Sequence, residues 1–259
     1  MSWRPIVPRQ GSLVVVSAPD AIAGRMAGER LHFAQGEALG AVPLGAGDSV
    51  RVEVMIIALD GVIEGRSAFV PVAERRERGE RIRASARFTP PPDSALQVRI
   101  DRERALSGDA ARRAHDVPRL WSAPFVRPRD SRVTSSFGTG RIVNGVWRSR
   151  HYGLDLDGET GDPVVVSNRG VVALVGDFFY GGKSVYVHHG AGLMTMYQHL
   201  SRVLVQVGDT VERGQVVGRV GATGRVTGPH LHWGAQYGAI SFDPRDLLTL
   251  SPPKPLSPD

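Results

Sequence analysis

Between residues 133 and 220 the chain is cut into short apolar runs, and nearly every run is closed by Gly or Asp. Residues 164–166, 171–175, 184–188, 193–197, 203–207 and 211–220 follow one another in this way. Runs this short, rich in β-branched residues and bounded by turn residues, form strands rather than helices. With 31 Gly and 18 Pro in 259 residues, and few runs of helical period, the chain is held to a mainly β fold.

The N-terminal part repeats the pattern more loosely. Residues 13–17, 50–59, 67–72 and 82–88 read as strands, with turns at 18–20, 45–48 and 60–61. This spacing predicts a small β-sandwich-like N-terminal domain over residues 1–92. Prolines 90–92 end it, and Asp93 or Ser94 suits the N-cap of a helix. Residues 94–115, with Leu96, Ile100 and Leu106 among Arg and Glu, read as one or two short helices, so 93–118 is expected to be a helical linker. An antiparallel β domain with a groove is expected over 119–250, then a Pro-rich tail, 251–259, without fixed structure.

Charge and composition bound the partners. The formal charge is +6, carried almost wholly by Arg, with Lys only at 183 and 254. Such a surface suits a polyanion, whether nucleic acid, anionic membrane or acidic wall polymer, and is equally what an Arg-rich coding bias produces. Residues 74–81 form a dense charged run whose signs alternate, which reads as a solvated turn. The absence of Cys excludes disulfides, thiolate metal sites and a cysteine nucleophile. No apolar stretch approaches the length of a membrane span, and the first residues lack the apolar core of an export signal.

A weak internal echo links Gly161-Asp-Pro-Val164 with Gly208-Asp-Thr-Val211, each leading into a second Gly-bounded apolar run. Two such units suggest hairpins facing each other in a sandwich, similar to a biotinyl or lipoyl carrier. Carriers need a Lys at a hairpin tip, and no Lys lies between 184 and 253, which excludes that chemistry.

The chemistry lies in the histidines. Of 8 in the chain, all but His32 and His115 fall between His151 and His232. His32, alone among apolar neighbours, reads as structural, and His188 and His189 read as structural or rim residues. Residues two apart on a strand point to one face, so His230 and His232 can enter one pocket while Leu231 packs behind them. One can bind a metal while its neighbour acts on substrate. His199 follows Tyr197 at the same spacing. His151 and Asp155 lie about 13 Å apart if fully extended, too far to share an ion, so a bend at Gly153 is expected. A catalytic zinc takes three N or O ligands and keeps a fourth position for water. The Gly-rich segments 181–182 and 221–228 read as loops walling a groove suited to an extended peptide of small residues, where Arg148, Arg150 or Lys183 could meet substrate carboxylates. Segment 221–228 lacks the Lys-Ser/Thr ending of a phosphate loop.

The pattern His151-x-Gly-x-Asp155, then Tyr197-x-His199-Leu-Ser201, then Thr223-Gly-x-x-Thr-Gly-Pro-His230-Leu-His232, resembles the lysostaphin/LytM-type zinc metallopeptidases. The stretch 133–138, Asn144-Gly145 and residues 207–215 share the likeness, which covers about 118–250; Asp162 departs from it at a turn. The resemblance implies that His151, Asp155 and His232 bind one Zn2+ per chain and that His199 and His230 are the catalytic pair. It further implies an endopeptidase cutting peptidoglycan stem peptides or cross-links, working in the periplasm or secreted, with no nucleic acid and no membrane span. The N-terminal domain could occlude the groove or bind a regulatory partner. The alternative is a non-enzymatic relative that binds wall or regulates an amidase.

Overall fold

The computed structural model describes residues 1–76, 79–88, 92–145 and 147–251. The tail from 252, residues 77 and 78 of the charged run, prolines 90 and 91, and the Arg148 side chain lie outside the described residues.

Two sheets build the N-terminal part. One orders Ser2–Arg4, Leu13–Ser17 and Glu37–Ala41; the other orders Glu29–Leu31, Ala21–Met26, Ser49–Ile57 and Ile63–Pro71. Ser49–Ile57 alternates to its end: Val50, Val52, Val54 and Ile56 are buried, while Met55 and Ile57 face outward although apolar. Those buried valines meet Val14 and Val16 of the first sheet. The opposite face of that first sheet turns elsewhere, because Leu13, Leu39 and Ala41 belong to the core of the C-terminal part. A buried ion pair between Arg75 and Asp243, 3.2 Å apart, adds a second tie between the two parts.

The strand expected over 82–88 is not there. Glu80–Ile82 is a three-residue strand and Ala86–Phe88 a 3-10 turn. The Asn144 side chain accepts from Ala84 N at 2.9 Å and donates to Ala84 O at 3.1 Å, which diverts the chain from any further ladder. Glu80–Ile82 instead pairs in parallel with Gly140–Val143, far along the sequence.

Residues Ser94–Arg113 form one unbroken helix. Asp93 caps it, its carboxylate accepting from Leu96 N at 2.8 Å. Ala110 and Ala111 pack on Phe178, Tyr186, Met194 and Met196, so the helix covers part of the large sheet.

That sheet has eight strands, in the order Thr210–Val211, Gly170–Phe178, Gly182–Gly190, Leu193–Leu200, His230–Tyr237, Gly153–Asp157 and Val133–Ser135, with Ile240–Phe242 also on His230–Tyr237. The two echoing segments do not form separate hairpins. Pro163–Val165 pairs with Val216–Arg219, and Gly170–Phe178 pairs with Thr210–Val211, so each unit completes the other.

Candidate metal centre

The register of three strands assembles the site. Asp155 lies directly opposite His232, and Asp157 opposite His230, so Asp155, His230 and His232 share one sheet face. Leu154, Leu156, Leu231 and Trp233 occupy the other face and are at most 1% exposed. Each buried side chain of this kind contributes roughly 1.5–3 kcal/mol. A slip of one residue would exchange imidazoles for leucines, so the same packing that holds the sheet fixes the ligands.

His151 lies just before the strand Gly153–Asp157. Its N donates to Thr139 O at 2.9 Å and its carbonyl accepts from Gly138 N at 2.8 Å, which turns the chain and brings the ring back toward Asp155. The bend expected at Gly153 therefore falls earlier. Gly153 serves another purpose: a Cβ there would stand 2.6 Å from both His232 Nε2 and Trp233 O, so only glycine lets the His232 ring lie over the strand.

Three ligand-type atoms close into a triangle. His151 Nε2 is 2.9 Å from Asp155 Oδ1, His232 Nδ1 is 2.9 Å from the same oxygen, and the two nitrogens are 3.0 Å apart. His151 Nδ1 faces Ser136 O at 2.9 Å, so that nitrogen carries the hydrogen and Nε2 is left with a lone pair. A carboxylate oxygen and an imidazole lone pair converging on one point, with a second imidazole beside them, is a donor set that suits a cation. A tetrahedral ion at about 2.0–2.1 Å from each ligand would need edges of about 3.3 Å, only a few tenths wider than those present. The cluster could hold a metal ion. Burial is the largest influence on Asp155 and by itself raises its pKa, but His151 and His232 outweigh it and hold the carboxyl well below the usual range.

Behind the triangle, Arg141 donates to Asp155 Oδ2, to Ser135 Oγ at 2.8 Å and, more weakly, to Glu80 Oε2 at 3.4 Å. Glu80 also accepts from Ser135 Oγ at 3.0 Å. Neither Arg141 nor Glu80 was visible as a site residue in the sequence. Glu80 lies near the end of the run read as a solvated turn; it opens the short strand Glu80–Ile82 and reaches the centre through Arg141. The one available signal was Arg141 itself, a charged residue close to a stretch already matched to the metallopeptidase pattern.

His199 and His230 flank the triangle. Their ring centroids are 4.9 Å apart, and His199 is 5.8 Å from His232. Regular alternation would turn His199 away, because Gln198 is the residue opposite His232. A left-handed backbone at His199, φ 65°, re-aims the ring. That conformation is held by His199 N donating to Gly181 O at 2.8 Å and Nδ1 donating to Thr223 O at 2.9 Å. Burial first, then the neighbouring His230 and His232, push the His199 pKa well below its usual value, so the ring is neutral. His230 Nδ1 likewise donates to a carbonyl, Gly228 O at 2.9 Å, and its Nε2 lies 3.6 Å from Asp155 Oδ1. Both rings therefore present an Nε2 lone pair.

His189, His115 and His32 are held in structural contacts. His189 is fully buried, donating from Nδ1 to Arg169 O and accepting at Nε2 from Thr195, which continues to Tyr197 and Ser167. His32 bonds His115, and His115 bonds Glu29. The two Gly-rich loops meet beside His199: Lys183 N donates to Thr223 Oγ1 at 3.0 Å, and Arg225 N to Tyr180 O at 2.9 Å. A cavity of about 760 Å³ lies elsewhere, between Leu13, Leu39, Trp121 and Leu250, and none of the five residues lines it.

Comparison with known proteins gives a consistent picture. Residues 149–244 match Peptidase family M23. The chain is 44% identical over 109 residues to the peptidoglycan DD-endopeptidase ShyA of Vibrio cholerae, a match covering 41% of this chain and 25% of that protein. It is 36% identical over 123 residues to the DD-carboxypeptidase/endopeptidase Mpg of Neisseria meningitidis, covering 47% of this chain and 28% of that protein. The chain thus spans only about a quarter of the length of these curated relatives. A solved structure described as a putative peptidase M23 from Pseudomonas aeruginosa aligns over 93% of this chain and 95% of its own, with 29% identity and a TM-score of 0.72.

Proposed function

We propose that this chain, which belongs to Peptidase family M23 through residues 149–244, is a zinc-dependent endopeptidase that hydrolyses peptide bonds in peptidoglycan stem peptides or cross-links. The observation that carries this reading is the triangle of His151 Nε2, Asp155 Oδ1 and His232 Nδ1 with two further Nε2 lone pairs beside it. The relatives named as peptidoglycan endopeptidases supply the substrate class.

In this reading His151, Asp155 and His232 hold the zinc. When bound, zinc supplies a water of lowered pKa and polarises the scissile carbonyl. Arg141 holds Asp155 Oδ2 and so turns Oδ1 to face the two imidazoles. Either His199 Nε2 or His230 Nε2 takes the proton of the attacking water and passes it to the leaving amine. Thr223 O and Gly228 O fix both rings in the tautomer this requires. The relatives' named substrate, peptidoglycan, lies outside the cytoplasm, which supports a periplasmic or secreted location. In the same reading residues 119–250 are the peptidase domain and residues 1–92 a β unit that orients it.

Digestion of purified sacculi, with mass spectrometry of the released peptides, tests this. New amino and carboxyl termini at stem-peptide or cross-link bonds are expected. A zinc-loaded chain that releases no new peptide termini would overturn the reading.

A further inference from the structure

We propose that Arg225 and Tyr180 form a carboxylate subsite beside the metal centre, so that the bond selected for cleavage lies near a substrate residue bearing a free carboxylate. This rests on the endopeptidase reading above.

The Arg225 guanidinium lies over the Tyr180 ring, 4.5 Å from its centroid. Stacking occupies a face of the planar group and leaves its N–H donors directed outward around the edge. Among the described residues no carboxylate or carbonyl receives them. Two more deeply buried guanidiniums of the molecule are matched: Arg141 with Asp155 and Glu80, Arg75 with Asp243. Arg225 is partly buried, and burial lowers its pKa from the ordinary guanidinium value, with Tyr180 opposing this and the like charge of Arg141 adding to it. A cation held out of water without a counter-charge is costly unless an anion arrives to meet it.

The group is also held in place. Arg225 N donates to Tyr180 O, and Gly224 packs so closely on the opposing loop that a Cβ would stand 2.4 Å from Gly182 N. The Tyr180 ring is supported by Phe179, with centroids 4.8 Å apart, and by Phe88 at 6.4 Å. Two residues before Arg225, the carbonyl of Thr223 receives His199 Nδ1. One loop therefore fixes both the imidazole and the guanidinium, and sets a constant spacing between a bound anion and the reacting bond. Lys183, the other cation of these loops, is already engaged, its Nζ donating to Ser201 O at 3.1 Å.

The test compares cross-linked stem-peptide dimers released from sacculi, with their carboxylates either free or converted to carboxamides. Cleavage by the zinc-loaded full chain and equilibrium binding to the zinc-free full chain are both measured. A preference of about tenfold or more for the free acid is expected in each, lost in Arg225→Met and weakened in Arg225→Lys and Tyr180→Leu. Zinc binding by the variants reports that they fold. Equal treatment of acid and amide by the wild-type chain, or an undiminished preference in Arg225→Met, would overturn the subsite. If the chain binds the acid through Arg225 yet cleaves neither dimer, the subsite stands and the endopeptidase reading falls.

Discussion

Arg141 donates to Asp155 Oδ2, and the remaining oxygen of that carboxylate, Oδ1, stands 2.9 Å from both His151 Nε2 and His232 Nδ1. The guanidinium thus decides which carboxylate oxygen enters the triangle. Removing it should weaken metal binding without removing a ligand. Arg141→Met is expected to lose zinc affinity by about 10–100-fold, the usual cost of deleting a partner that orients a ligand. Competition with a chromogenic chelator measures this; unchanged affinity would mean that Asp155 holds its orientation unaided.

Gly153 makes a different contribution. A Cβ at this position meets His232 Nε2 and the Trp233 carbonyl, each at 2.6 Å. The carbonyl belongs to the central sheet and cannot withdraw, so the imidazole must move. Gly153→Ala should therefore weaken zinc binding and destabilise the fold by about 1–3 kcal/mol. Chelator competition and thermal melting together report the two effects.

The Arg75–Asp243 pair joins the N-terminal part to the C-terminal part with side chains only 7% and 4% exposed. Breaking a buried pair costs about 3–5 kcal/mol where no second partner remains. Here Arg245 also reaches Asp243, at 2.6 Å. Arg75→Ala is accordingly expected to cost about 2–3 kcal/mol, less than that range. Urea unfolding reads it, and a loss under about 0.5 kcal/mol, typical of a surface change, would argue against a structural tie.

His189 gives the pH dependence a sign. Burial is the main cause that lowers its pKa from 6.5 to about 4. The unfolded chain then binds more protons than the folded one between those values, so stability is present above pH 6.5 and is lost as pH falls toward 4. The loss for this one group is at most about 3 kcal/mol. In His189→Gln, whose amide does not titrate, the stability difference from wild type should shrink over that window. Parallel pH dependence in the two chains would show that another group carries the effect.

Strand periodicity was legible in the sequence because it is local, whereas the grouping of His151, Asp155, His199, His230 and His232 came from the likeness to the metallopeptidase pattern. His230-Leu231-His232 on one strand needs only the alternation of side chains, and Asp93 as a helix cap needs only the residues that follow it. What could not be read depends on partners distant in the chain. Glu80 becomes strand because Gly140–Val143 lies beside it, and Arg141 matters because Asp155 lies beside it. His199 reaches the centre through a left-handed backbone that strand alternation does not anticipate. Gly153 invited a reading of backbone freedom, whereas the requirement comes from the His232 ring packed against it.

Zinc titration into the metal-free full chain, followed calorimetrically, tests the three-ligand centre most directly. One site per chain is expected in the wild type and in His199→Ala, and no comparable site in His151→Ala, Asp155→Ala or His232→Ala. A wild-type chain that takes up no zinc, or ligand variants that bind it as the wild type does, would contradict the assignment.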